Sequence, residues 1–115
     1  MDIVISKNNV PIRLTPERWQ HITTGHPEIA DFYYEILETI EKPKIIYEGN
    51  EGGLIAVSFR FENTGKFIVV IYKEISIEDG FVITAFLSNK EQKFEKKKVV
   101  WEQNNSLGFY ESLIV

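Results

Sequence analysis

The sequence predicts an α+β domain in which two N-terminal helices pack on a four-stranded antiparallel meander. Three observations predict it. Residues 29–40 carry an unbroken helical amphipathic stripe. Everything from Ile45 to Ser88 falls into four runs rich in β-branched and aromatic residues. The links between those runs are short and hold the Gly, Asn or Asp of tight turns, which forces antiparallel neighbours.

In chain order, Ile3–Ile5 and Pro11–Leu14 read as extended pieces broken by a Lys-Asn-Asn turn. A first helix spans Pro16–Thr24. Thr15 suits its N-cap, Pro16 its first position, and Glu17 the positive end of its dipole. Trp19 and Ile22 share one face, while Arg18 and His21, also three apart, lie on another stripe. Gly25 suits a left-handed C-cap, and Pro27 and Glu28 look like the first turn of the next helix. In that helix Ile29, Phe32, Tyr33, Ile36, Leu37 and Ile40 line one side, with Asp31, Glu35, Glu38 and Glu41 opposite, and Pro43 ends it.

The strands are Ile45–Glu48, Leu54–Phe61, Phe67–Glu74 and Phe81–Ser88, linked by GNEGG, ENTGK and SIEDG. FIVVIY and FVITAF are apolar at consecutive positions, so they should be central and covered on both faces. The second helix covers one face, and Val99–Trp101 with the apolar C-terminus is available for the other. EQKFEKKK reads as a mobile loop or short helix. Residues 1–115 form a single domain with its core in 12–101. Residues 102–115 form a tail that either adds a strand or binds a partner.

Composition narrows the function. With 115 residues, 43% hydrophobic and 26% charged, the chain has the make-up of a one-domain globular protein. It has no cysteine, so disulfides, thiolate metal sites and a cysteine nucleophile are excluded. No apolar run spans a bilayer and the N-terminus lacks a secretory pattern, so the expected compartment is the cytoplasm, with no membrane partner. The net charge of −4 gives no electrostatic argument for tight nucleic-acid binding. Lys90, Lys93, Lys96, Lys97 and Lys98 form the candidate basic patch, though such a cluster reads first as a solvated face.

The residues that attract attention are His21 and His26, both inside the helix–turn–helix. Histidine titrates near neutral pH and is the first suspect for proton transfer. The plainer reading makes His26 an imperfect cap and His21 a neighbour of Trp19. Their spacing across Gly25 is not the i, i+4 pair of a helical metal site, so neither metal nor cofactor is expected. In the strands, alternation places Arg60, Tyr72 and Thr84 on one side if register aligns them. An arginine, a phenol and a hydroxyl facing one way suit a phosphate. The plainer reading is a snorkelling arginine beside two good strand formers.

The pattern RLTPERWQHI, then HPE, a helix, KP, and strands ending in VVIYKE and DGFVITAF resembles a group of small bacterial proteins frequent in cyanobacteria and phage-related loci. The resemblance covers residues 12–101. The fold of that group resembles the barnase–EndoU–colicin–RelE-like nuclease superfamily. It implies metal-independent cleavage of RNA through the ribose 2′-hydroxyl by an endoribonuclease of toxin type. On that resemblance His21 or His26 is base or acid, Arg60 clamps the phosphate, and Tyr72 or Thr84 are supporting donors. The implied partners are RNA and an antitoxin or other small protein. The alternative is a non-catalytic protein-binding module that uses the sheet face or the apolar tail. Sequence leaves oligomeric state open.

Overall fold

The computed structural model describes residues 1–103. Its strands are β1 (Asp2–Ile5), β2 (Pro11–Leu14), β3 (Ile45–Glu48), β4 (Leu54–Val57), β5 (Phe67–Ser76), β6 (Asp79–Ser88) and β7 (Val99–Glu102). Its helices are α1 (Pro16–Gly25) and α2 (Tyr33–Glu41). The seven strands form one sheet in the order β1-β2-β6-β5-β4-β3-β7. The fold is α+β, but the sheet is mixed and seven-stranded, not a four-stranded antiparallel meander.

Within this sheet β3, β4, β5 and β6 form an antiparallel segment, each paired with the next. Two additions enlarge it. The β1–β2 hairpin docks on β6 through a parallel pairing of Ile12 with Gly80 and Arg13 with Phe81. At the other edge β7 pairs antiparallel with β3. The connection from β2 to its parallel neighbour runs through both helices and the first three strands of the meander. Parallel neighbours need such a long crossover.

Local chemistry accounts for the helix limits. The Thr15 hydroxyl accepts from the Arg18 N–H at 3.1 Å, capping α1. Gly25 is not a left-handed cap: it stays inside α1, and the helix closes when the His26 N–H donates to the Ile22 carbonyl at 2.7 Å. The single helix expected over 29–40 is two pieces. Pro27–Ile29 is a 3₁₀ turn, closed by the Ala30 N–H donating to Pro27 at 3.1 Å. The helical path breaks at Phe32 (φ −120°, ψ 30°) before α2 starts. The stripe survives the break because Ile29, Ile36 and Ile40 all remain fully buried under the same face of the sheet.

That face carries the larger core, in which Ile22, Ile36 and Ile40 of the helices meet Ile12, Val70 and Ala85 of the sheet. The opposite face carries a smaller one, where Phe94 packs with Ile55, Val57, Phe67 and Val69. Phe94 belongs to a 3₁₀ turn, Glu91–Phe94, within the lysine-rich segment. So the second face is covered by this turn. Trp101, expected there, instead packs partly buried against the helix-side core. The C-terminal strand or partner-binding role expected for the tail beyond Gln103 lies outside the described residues.

β1 is tied to α2 by the Tyr33 hydroxyl, which donates to Asp2 at 2.7 Å. Partial burial and this bond to a carboxylate push the Tyr33 pKa up to about 12, so the phenol keeps its proton through the neutral range. On α2, Ile36 is fully buried while Leu37 is only partly so. Ile36→Ala should therefore cost about 2–5 kcal/mol and Leu37→Ala distinctly less, because a half-open site leaves a smaller cavity. Urea denaturation of the two variants measures the difference.

Candidate functional site

The site follows from an unfinished strand pairing. β2 meets β6 at two positions, Gly80 and Phe81, and among the described residues the outer edge of β6 beyond them has no strand partner. Helix α1 and the Pro27–Ile29 turn run along that edge. The Arg18 side chain donates to the Ile83 carbonyl at 3.4 Å, filling one acceptor left by the missing strand.

Ile83 is also the extra residue of a β-bulge. Thr84 pairs with Ile71 but Val82 pairs with Tyr72, so β6 carries one more residue than β5 between those pairs. Val82 therefore points into the helix-side core, while Thr84 joins Phe86 on the other face. Tyr72 lies with Val82 in the helix-side core at 1% exposure. Burial, reinforced by the Glu74 carboxylate, pushes its pKa upward. The expected alignment of Arg60, Tyr72 and Thr84 on one side is thus corrected: the bulge puts Tyr72 and Thr84 on opposite faces.

Arg60 is not in a strand. β4 ends at Val57, where the expected run continued to Phe61. There the Ser58 N–H still donates to the Ile68 carbonyl at 2.9 Å, but the Ile68 N–H donates to the Ser58 hydroxyl at 2.8 Å instead of to a backbone carbonyl. In the excursion that follows, the Arg60 guanidinium lies 5.0 Å over the Phe67 ring. Its Nε is 3.3 Å from Glu91, and it donates to the Gly65 carbonyl.

His26 is half-buried. Its ring lies 5.5 Å from that of Phe86, and its Nδ1 is 3.5 Å from a Glu28 carboxylate oxygen. The Lys93 ammonium approaches the same Phe86 ring at 5.8 Å. His21 is exposed on α1, one turn beyond Arg18. Phe67 pairs with Ser88, two residues from Phe86, so the two rings are diagonal neighbours on one face. The structure thus gathers His26, Thr84 and Arg60 on one side of the sheet, adds Lys93, and leaves Tyr72 on the other. Sequence pointed to the lysine cluster without placing Lys93, and it passed over Arg18. The Arg18–His21 spacing was its visible signal. The phenylalanines that seat His26 and Arg60 carried none.

Among the described residues no three His, Cys, Asp or Glu side chains are grouped to hold a metal ion, and no helix is long and apolar enough to cross a membrane. No family model, curated protein or solved structure matches the chain, so the site is read from its own geometry.

Proposed function

We propose that the protein is a metal-independent endoribonuclease of toxin type. The observation that carries this reading is the convergence on Phe86 of a half-buried histidine and a lysine, beside Thr84 and on the same face as Arg60. Cleavage through the ribose requires a base for the 2′-hydroxyl proton, an acid for the departing 5′-oxygen, and positive charge at the phosphorus. Nδ1 of His26 lies 3.5 Å from a Glu28 carboxylate oxygen, so Nε2 is the nitrogen left to face a substrate. His26 is then the acid–base group, and His21 is the candidate for the complementary role. Lys93 supplies charge at the same Phe86 ring. Arg60 supplies more only by leaving Glu91. In the reaction the 2′-oxygen bonds to phosphorus as the 5′-oxygen leaves with a proton, giving a cyclic phosphate and a 5′-hydroxyl.

One observation favours the rival reading, a protein-binding module. Both edge strands expose apolar side chains: Ile3 and Ile5 on β1 at 56% and 48%, and Val99 and Val100 on β7 at 45% each. An edge with no partner among the described residues can accept a strand from another chain. An antitoxin or other small protein would fit there, and in a toxin the two readings coexist.

The test is cleavage of a mixed RNA pool in EDTA by wild type and by His21→Ala, His26→Ala and Arg60→Ala. Loss of cleavage in His26→Ala with the circular dichroism unchanged is expected. Equal cleavage by all four preparations would assign the activity to a contaminant. An inactive wild type, freed of any co-purifying protein, would leave the binding module standing.

A further inference from the structure

A second feature lies on the same edge of β6, away from Phe86. Arg13, Thr15, Arg18, Phe81 and Val82 enclose an open hollow of about 360 Å³. Its two arginines come from different elements, β2 and the first turn of α1, and meet because β2 pairs with β6 just where the parallel ladder stops. Each is anchored once. Arg13 donates to Asp79 at 3.2 Å and its guanidinium lies 5.7 Å over the Phe81 ring. Arg18 donates to the Ile83 carbonyl at 3.4 Å. A guanidinium has five N–H donors, so each keeps most of its donors free while its orientation is fixed. Thr15 accepts through its oxygen from the Arg18 N–H and retains its own O–H to donate. Asp79 offsets one of the two positive charges, and the hollow keeps a net positive balance.

We infer that this hollow binds a phosphodiester of the RNA strand at a position distinct from the cleaved one; the inference rests on the ribonuclease reading for the identity of the strand, not for the binding. Fixed, forked, permanently charged donors from two sides suit a tetrahedral oxyanion and leave an uncharged linkage unrecognised. Val82 and Phe86 are four residues apart on one strand with the Ile83 bulge between them, a span of about 10–13 Å at strand rise. A phosphate held by Arg13 and Arg18 is therefore not the one facing His26. It fixes the register of the strand along the edge of β6 that no described strand covers.

The experiment is binding, measured apart from cleavage. A short fluorescent 2′-O-methyl oligonucleotide, which lacks the attacking hydroxyl, is titrated by anisotropy at several salt concentrations. Arg13→Gln and Arg18→Gln should each weaken binding about tenfold or more, the scale of a lost hydrogen bond to a charged group. Each should lower the salt slope by about one. Asp79→Asn, which frees Arg13, should tighten binding, a sign that a merely structural role does not predict. Arg18→Lys keeps the charge and loses the fork, and should fall between. Thermal melts identify any variant that fails to fold. Free inorganic phosphate should compete for the same site only weakly. Unchanged affinity and slope in both arginine variants would overturn the inference. So would an equal loss against an oligonucleotide with uncharged methylphosphonate linkages. Binding that depends on Arg13 and Arg18 in a protein that cleaves no RNA would retain this site and remove the ribonuclease reading.

Discussion

His26→Ala is expected to lower single-turnover RNA cleavage by roughly 10²–10⁴-fold while leaving the fold in place. The size is that of a positioned acid–base group. The specificity of the loss follows from what His26 does structurally. Its contribution to closing α1 is the backbone N–H, which donates to Ile22 and survives the substitution. Its imidazole is half-buried against one ring and beside one exposed carboxylate, and neither contact is a large source of stability. Glu28→Gln should reduce the rate less, because the imidazole remains and only its orientation loosens. His21 is exposed, so His21→Ala should leave the melting temperature unchanged whatever it does to the rate.

The second large effect concerns stability. Gly80 lies within β6 where β2 and β5 both press on it. A Cβ built there would sit 2.5 Å from the Ile12 side chain and 2.7 Å from the Lys73 carbonyl oxygen. The Ile12 methyl can shift. The carbonyl cannot move without disturbing the β5–β6 ladder. Gly80→Val should therefore cost at least the ~1–3 kcal/mol typical of overpacking and loosen the β1–β2 hairpin from the sheet. Hydrogen exchange at Ile12 and Arg13, together with urea denaturation, would show both. Gly65→Ala makes the contrast. That glycine has φ +70° but open space around it, so only backbone strain of ~1 kcal/mol is expected.

Gly80 also shows where sequence was legible and where it was not. In DG it reads as a turn residue, yet the turn is Ile77–Glu78 and Gly80 is a packing glycine inside the strand. Elements set by local chemistry were readable: β3, the cap at Thr15 and the stripe on α2 stand where periodicity put them. At the edges of the sheet, Ile3–Ile5 and Pro11–Leu14 read as extended where β1 and β2 stand, but their place in the sheet was not legible. β1, β2 and β7 have four residues each, and β2 meets β6 at a partner far along the chain, Ile12 with Gly80. Nothing local marks such a pairing. β4 was read too long because Phe59 and Phe61 continue its alternation. Outside the sheet Phe61 instead stacks 5.4 Å from Phe32, and Phe59 is exposed. For the site, the bulge at Ile83 separated Thr84 from Tyr72, since strand periodicity has no tolerance for one extra residue. The histidine-bearing turn was legible as a place. Phe86, which gives His26 its position, was visible only as a strand former.

The most direct test of the account is the product of one defined linkage. A 2′-deoxy oligonucleotide carrying a single ribose is incubated with the protein in EDTA, and its ends are identified by mass. Cleavage only after that ribose, with a 2′,3′-cyclic phosphate on one fragment and a 5′-hydroxyl on the other, is the predicted result. Cleavage at deoxy linkages, or a 5′-phosphate end, would contradict it.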